Sequence, residues 1–505
     1  MSTATSSASQ ATATAPVEAP PRFDFPGWLP PMLVKELRQG LRQRGFVGGL
    51  IAAQAVLAIM FIWGFVVEVD EGSSRGMING VFWSTVVATL LLVAPLRALG
   101  ALHAEIDART MDLLLLTRLD SWRIVWGKWV SLVTQSLLLV VSILPYAVVR
   151  YFFGSVDVIG DLLSIGALLV LSAVFTAAGL WASGMNRVLR LLLIIGVVFM
   201  SFGMFGSIVT RGMMGGYGIG ISRHSGTPMD WVSAAVWVWV SACSVAYCLM
   251  LAVRWFAPAA ENHAIGPRLL PLALAVPFPI FAWLGTGNEL EEYAAVWMSC
   301  CAFIALIEMA GAREVMTIHL RGRLGRPGWR RVAGALFLPG WQSAALWAAV
   351  LLAFATAVAL VADWLSAGSA EAGVLVLVAA LAWAGLVVPA LIVSSLRSLG
   401  RVTGLMYFII HALFGALAGM AGSTALSKKA PAFIHALEWV SQAVPPMSFW
   451  QAISNWNKLG TSQFGWSGPV AGVVLTVALV WWMSRPYWVC VRQMRDVANR
   501  SGTRE

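Results

Sequence analysis

Charge is what this 505-residue chain has least of: Asp, Glu, Lys and Arg make up 11% of it, against about a quarter in soluble domains. So little polar side chain excludes a water-soluble globular protein. Cysteine is sparse as well. Cys243, Cys248, Cys300, Cys301 and Cys490 all fall in or beside apolar runs, with no C-x-x-C spacing, and read as small buried hydrophobes rather than a redox pair or metal site. No H-E-x-x-H or G-x-S-x-G motif occurs, and no paired carboxylates lie on an apolar run. Glu291-Glu292 comes nearest to a catalytic glutamate pair, but it sits in a short turn without a positioned histidine. The phosphate-cradling G-x-x-x-x-G-K-[ST] is also missing, because Gly127-Lys128 is followed by Trp129 and lacks the upstream glycine. The chain is thus expected to hold no catalytic residues, no metal and no cofactor of its own.

What is present is hydrocarbon. Hydrophobic residues make up 59% of the chain and mean hydropathy is +0.78. The apolar runs are continuous and about 20 residues long rather than alternating, which predicts spanning helices and not a barrel. Twelve are expected, in an all-α integral membrane protein. Six fall within 47–253, at 47–67, 78–101, 129–151, 162–183, 189–210 and 231–253. Six more fall within 254–484, at 268–285, 293–311, 343–362, 373–395, 402–422 and 468–484. The least regular is 268–285, which holds Pro271, Pro277 and Pro279.

Net charge is +10, yet the basic residues flank the apolar runs instead of forming one patch, which argues against a nucleic-acid partner. With both termini cytoplasmic, Lys and Arg fall overwhelmingly on the inner segments while acidic residues divide evenly. The outer turns are acid-rich: Glu68, Asp70 and Glu71, then Glu289, Glu291 and Glu292, then Asp363 and Glu371. This asymmetry sets the orientation and places the basic tail 485–505 in the cytosol.

Residues 1–27 open with a Ser-, Thr- and Ala-rich stretch that has no apolar core, so a disordered tail is expected rather than a signal peptide. Segment 28–46 predicts an amphipathic helix started by Pro30 and Pro31. Leu33, Val34, Leu37 and Leu41 share one side and Lys35, Arg38 and Arg42 the other, with Glu36 between. Such a helix lies in the cytoplasmic interface among membrane lipids, its basic side toward anionic headgroups.

Segment 104–128 carries Glu105, Asp107, Arg109, Asp112, Arg118, Asp120, Arg123 and Lys128 between two apolar runs. At about 2.5–3.5 kcal/mol per charge at the bilayer centre it does not cross. Glu105 precedes Arg109 by one helical turn, the favourable order for an ion pair. Leu113 to Leu116 form an apolar patch, and Trp122 and Trp126 share a helical face leading into the next run. A short surface helix, a hinge and a return into lipid are expected.

At these residues the chain resembles the permease subunits of type-2 ABC exporters. Their segment between the second and third spans runs acidic residue, R-T or G-T, acidic residue, leucine run, T-P-L or similar, then W-x-I-x-x-G-K. The matching positions are Glu105, Arg109, Thr110, Asp112, Leu113 to Leu116, Thr117, Trp122, Ile124, Gly127 and Lys128, with Arg118 where the family often has proline. Residues 34–39, V-K-E-L-R-Q, match the segment that the family calls its connecting helix. The resemblance implies a non-enzymatic membrane subunit in a bacterial plasma membrane. A separate ABC ATPase, in two copies, would bind ATP and Mg. It would dock on the coupling segment at Glu105, Arg109, Thr110, Asp112 and Trp122.

The two halves look like distant copies. The cytosolic segment 311–342 is rich in arginine, and Ala312-Arg313-Glu314 echoes Ala108-Arg109-Thr110, while Glu308 echoes Glu105. Arg313 and Glu314 are therefore a second docking candidate, although the leucine run and the terminal G-K are missing. Residues 254–267 are too short, with Pro258 and Pro267, for a second connecting helix. The outer segment 423–467 keeps Trp439, Trp450 and Trp456, suited to an interface. Two six-helix units in one chain would make a full pathway; the rival arrangement pairs this chain with a second permease chain.

Ionisable groups at mid-membrane are nearly missing. His411 reads as a helix–helix hydrogen bond, as do Gln54 and Gln135. Gly415, Gly419 and Gly422 suit close packing, and the glycine-rich 212–220 a flexible outer loop. This scarcity weighs against an ion-coupled secondary carrier, the first alternative; a non-transporting membrane scaffold is the second.

Overall fold

The computed structural model describes residues 31–71, 75–101, 121–152, 158–185, 190–191, 228–255, 257 and 262–284, with isolated positions at 293–308, 336–361, 413, 474 and 478. Among these residues nearly all are helical and no strand occurs. Five helices are long and apolar enough to cross a membrane: Arg44–Trp63, Ile78–Ala101, Ser121–Arg150, Ile159–Ser183 and Ala234–Val253. The chain is an all-helical, multi-pass membrane protein. The spans expected at 189–210, 373–395, 402–422 and 468–484 lie almost wholly outside the described residues, and those at 293–311 and 343–362 are sampled at isolated positions.

Helix α1, Pro31–Arg42, is joined at Gln43 to α2, Arg44–Glu71. The Gln43 carbonyl restarts the ladder by accepting from Phe46 and Val47 at 3.0 and 3.2 Å. Ile51, Ile59, Ile62 and Trp63 of α2 are exposed, which for a spanning helix means facing lipid. The next span is built from α3, Arg75–Val87, a π-helical turn, Ala88–Val93, and α4, Ala94–Ala101. Its apolar window is 67% buried against 22% for α2, which makes it the centre of the bundle.

The π turn has an identifiable cause. Pro95 lacks an N–H, and its ring would clash with the carbonyl one turn earlier; widening the preceding turn relieves that clash. The Leu90 carbonyl then accepts a 2.7 Å hydrogen bond from Ser172 Oγ of the neighbouring helix. In lipid, such a backbone group needs a protein partner.

Helix α5, Ser121–Phe152, is longer than the expected span and begins at Ser121 rather than 129. Its early start follows from Ile124 and Val125, both buried, and from Trp122, Trp126 and Trp129, whose rings pack in sequence at 6.2 and 4.9 Å. Helix α6, Val158–Ser183, packs along α4 and along α7, Pro228–Val253. Gly179 permits that approach: a methyl there would sit 2.9 Å from both the Ala98 Cβ and the Pro95 carbonyl oxygen. At one end of the bundle the Arg150 guanidinium, 4% exposed, pairs with Asp161 and lies 4.4 Å over the Phe82 ring.

The single span expected at 268–285 is instead two short helices, α8, Ile265–Leu274, and α9, Pro277–Leu284. Pro277 is the reason, since it cannot donate back to the preceding turn yet suits the first position of a new helix. Leu270, Leu274 and Phe281 from this pair join Tyr247, Tyr293, Trp297, Ile304 and Trp347 in one apolar cluster. A second cluster, around Phe82, Trp83, Leu90 and Ile143, ties α2, α3, α5 and α6. A third, around Ala98, Val125, Leu180 and Leu249, ties α4 to α7.

Candidate functional site

The described residues gather functional side chains where α1 crosses the start of α5. The buried face of α1 carries Leu37 and Gly40. Gly40 rests directly on the Gln135 side-chain amide, where any larger residue would collide. Two turns back along α5, Lys128 is only 4% exposed. A cation so removed from water is costly unless paired, and Glu36 of α1 supplies the partner, Lys128 Nζ reaching its two carboxylate oxygens at 3.4 and 3.3 Å. A third contact comes from α4, where Arg97 Nη2 donates to the Gly40 carbonyl at 3.3 Å and to Gln43 Oε1 at 3.2 Å. Its guanidinium also lies 5.0 Å over the Phe46 ring. Helix α1 is thereby clamped to two spanning helices by an ion pair and a backbone hydrogen bond, and the cation–π contact fixes the start of α2 beside it.

This geometry sorts the sequence candidates. Glu36 turns inward, whereas Lys35, Arg38 and Arg42 are exposed. Trp122 is partly buried against the Ala98–Leu249 cluster, while the neighbouring Trp126 is 45% exposed. Trp129 donates its indole N–H to the Ala173 carbonyl at 3.0 Å. Glu105, Arg109, Thr110, Asp112, Arg313 and Glu314 lie outside the described residues, as do Cys490, His411 and the 212–220 loop. Gln54 makes the expected interhelical bonds, to Ser142 O and Oγ at 3.0 and 2.8 Å. Gln135 does not: its amide donates to Ser131 Oγ of its own helix at 3.2 Å. Its place against Gly40 leaves it no acceptor across the interface. The Lys128–Glu36 and Arg97–Gly40 contacts were not foreseen, since a helical period identifies a face but not its partner.

A second constellation surrounds Glu308, which the sequence marked only as an echo of Glu105. Its side chain is 1% exposed and lies between two arginines. Arg268 of α8 donates from Nε to Glu308 Oε2 at 3.2 Å and from Nη1 to Ser343 Oγ at 2.8 Å and to the Leu336 carbonyl. Arg254, just past α7, sits with Nη1 2.7 Å from Glu308 Oε1, an ion contact without hydrogen-bond alignment. Its Nε donates to the His263 carbonyl at 3.1 Å. Asn262 Nδ2 reaches the Phe337 carbonyl at 2.9 Å. These contacts tie the segment just past α7 to α8 and to positions 308, 336, 337 and 343.

Among the described residues no group of three or more His, Cys, Asp or Glu is arranged to hold a metal ion. Compared with protein-family profiles, with characterised proteins and with solved structures, the chain matches none.

Proposed function

We propose that this chain is the membrane-spanning permease subunit of an ATP-driven exporter of the type-2 ABC kind. In this reading twelve spans form two six-helix halves in a bacterial plasma membrane, with both termini in the cytosol. Two copies of a separate ATPase bind ATP and Mg and dock on 104–128, and closing of that pair moves the docked segments. The observation that carries the reading is continuity. The charged stretch ending at Asp120 feeds straight into α5, and the first turns of α5 are tied through Lys128 to Glu36 and through the Trp122–Trp126–Trp129 series into the core. A displacement applied to 104–120 would therefore reach α1 and the bundle together. The largely apolar interior favours an amphiphilic cargo over a highly charged solute.

An ion-coupled carrier is the alternative from a different class. It needs a carboxylate with capacity to take up a coupling ion. Glu308 is fully buried, but two arginines face it, and Asp161 is held by Arg150. An ion would have to displace these partners, which favours the exporter.

The test is reconstitution in liposomes with a candidate ABC ATPase, sought as a Walker-loop protein in the neighbouring reading frames. The chain is expected to change the hydrolysis rate of that ATPase, and Glu105→Arg or Arg109→Glu to abolish the change. A rate indifferent to the chain and to both reversals overturns the docking.

A further inference from the structure

Because Lys128 takes up Glu36, the acidic residue of α1 is withdrawn from its outer face. What remains exposed there is Lys35, Arg38, Gln39, Arg42 and Gln43, followed by Arg44. The first five of these, together with Val34, line a groove of about 560 Å³. Immediately beyond it α2 begins, and Val47 and Ile51 are 40% and 62% exposed. Cationic side chains around a groove thus lie beside the first turns of an apolar helix long enough to cross a membrane, Arg44–Trp63.

We infer that this groove is a binding site for the headgroup of an anionic phospholipid. The phosphate meets Lys35, Arg38 and Arg42, Gln39 and Gln43 supply amide hydrogen bonds, and an acyl chain follows the apolar surface of α2. Charge complementarity selects the occupant. A zwitterionic headgroup brings its own cation into a cationic groove, whereas phosphatidylglycerol brings a net negative charge. The inference rests on membrane insertion and not on the ATPase partner.

Native mass spectrometry of the full-length chain, titrated separately with phosphatidylglycerol, phosphatidylcholine and inorganic phosphate, tests it. Wild type retains phosphatidylglycerol in preference to phosphatidylcholine. Each cation removed by Lys35→Gln, Arg38→Gln or Arg42→Gln weakens retention roughly five-fold, and all three together on the order of 100-fold. All three side chains are exposed, and unchanged melting in detergent checks that the variants fold. Arg123→Gln, which removes an exposed cation at the start of α5 outside the groove, leaves retention unchanged. An equal loss in Arg123→Gln would show diffuse attraction and overturn the site. Inorganic phosphate displacing the lipid at matched concentration would assign the groove to a soluble phosphate and overturn the lipid reading. Intact lipid retention in the triple variant, with loss of ATPase stimulation alone, would give the surface to a protein partner and equally overturn it.

Discussion

Lys128 and Glu36 face each other largely out of water, with side chains 5% and 14% exposed, so removing either one takes the opposite charge away from a shielded group. Lys128→Met, which keeps most of the side-chain volume, is expected to cost about 3 kcal/mol, read as a lower melting midpoint in detergent. Glu36→Gln, which takes the carboxylate away from the more deeply buried cation, is expected to cost as much or more. The double variant, with neither charge left, recovers part of the loss, and a double-mutant cycle measures the coupling. Strictly additive losses would mean the two residues stabilise independently. The pair stands 92 positions apart in sequence. Sequence periodicity places Glu36 beside the basic face of a helix and Lys128 at the end of a motif, but contains nothing to say that they meet.

Helix contacts in this bundle depend on where side chains are missing, and the glycines differ in what they touch. Gly179 abuts backbone, the Pro95 carbonyl, as well as Ala98, whereas Gly40 abuts the movable end of Gln135 and Gly166 has open space beside it. Gly179→Ala is therefore expected to destabilise by about 1–3 kcal/mol through overpacking against atoms that cannot yield. Gly40→Ala, where Gln135 can swing aside, costs less, and Gly166→Ala is neutral or stabilising through helix propensity. Thermal unfolding of the three variants gives the order. The five described spans were legible because each carries its own apolar run, and 78–101 matches the span Ile78–Ala101. Their ends were less legible. The eight residues before 129 read as a helical lead-in rather than part of the span, until Ile124 and Val125 are seen to be buried. The α8–α9 break was signalled by Pro277, but a proline inside an apolar run reads equally as a kink or a stop.

At the scale of the whole molecule, the Glu308 cluster is a buried charged joint among the described residues that follow α7, and its two cations are not equivalent. Arg268 is 1% exposed and has three acceptors, whereas Arg254 is 21% exposed and meets Glu308 without hydrogen-bond alignment. Arg268→Gln is expected to be the most damaging change, at about 3–5 kcal/mol, because it leaves a buried carboxylate and two polar acceptors short of a donor. Arg254→Gln is expected to cost distinctly less. Yield of folded protein and melting midpoint report the order, and equal losses would refute the asymmetry. The sequence showed Glu308 only as a carboxylate near a span end, because its partners come from segments that lie together only after folding.

The shielding of that joint has a consequence for how the protein meets its electrolyte. Mobile ions weaken attractions between charges open to water, over a distance of about 8 Å at physiological strength, but barely reach pairs enclosed in protein. Raising salt should loosen whatever Lys35, Arg38 and Arg42 hold at the surface, while the joint around Glu308 stays shut.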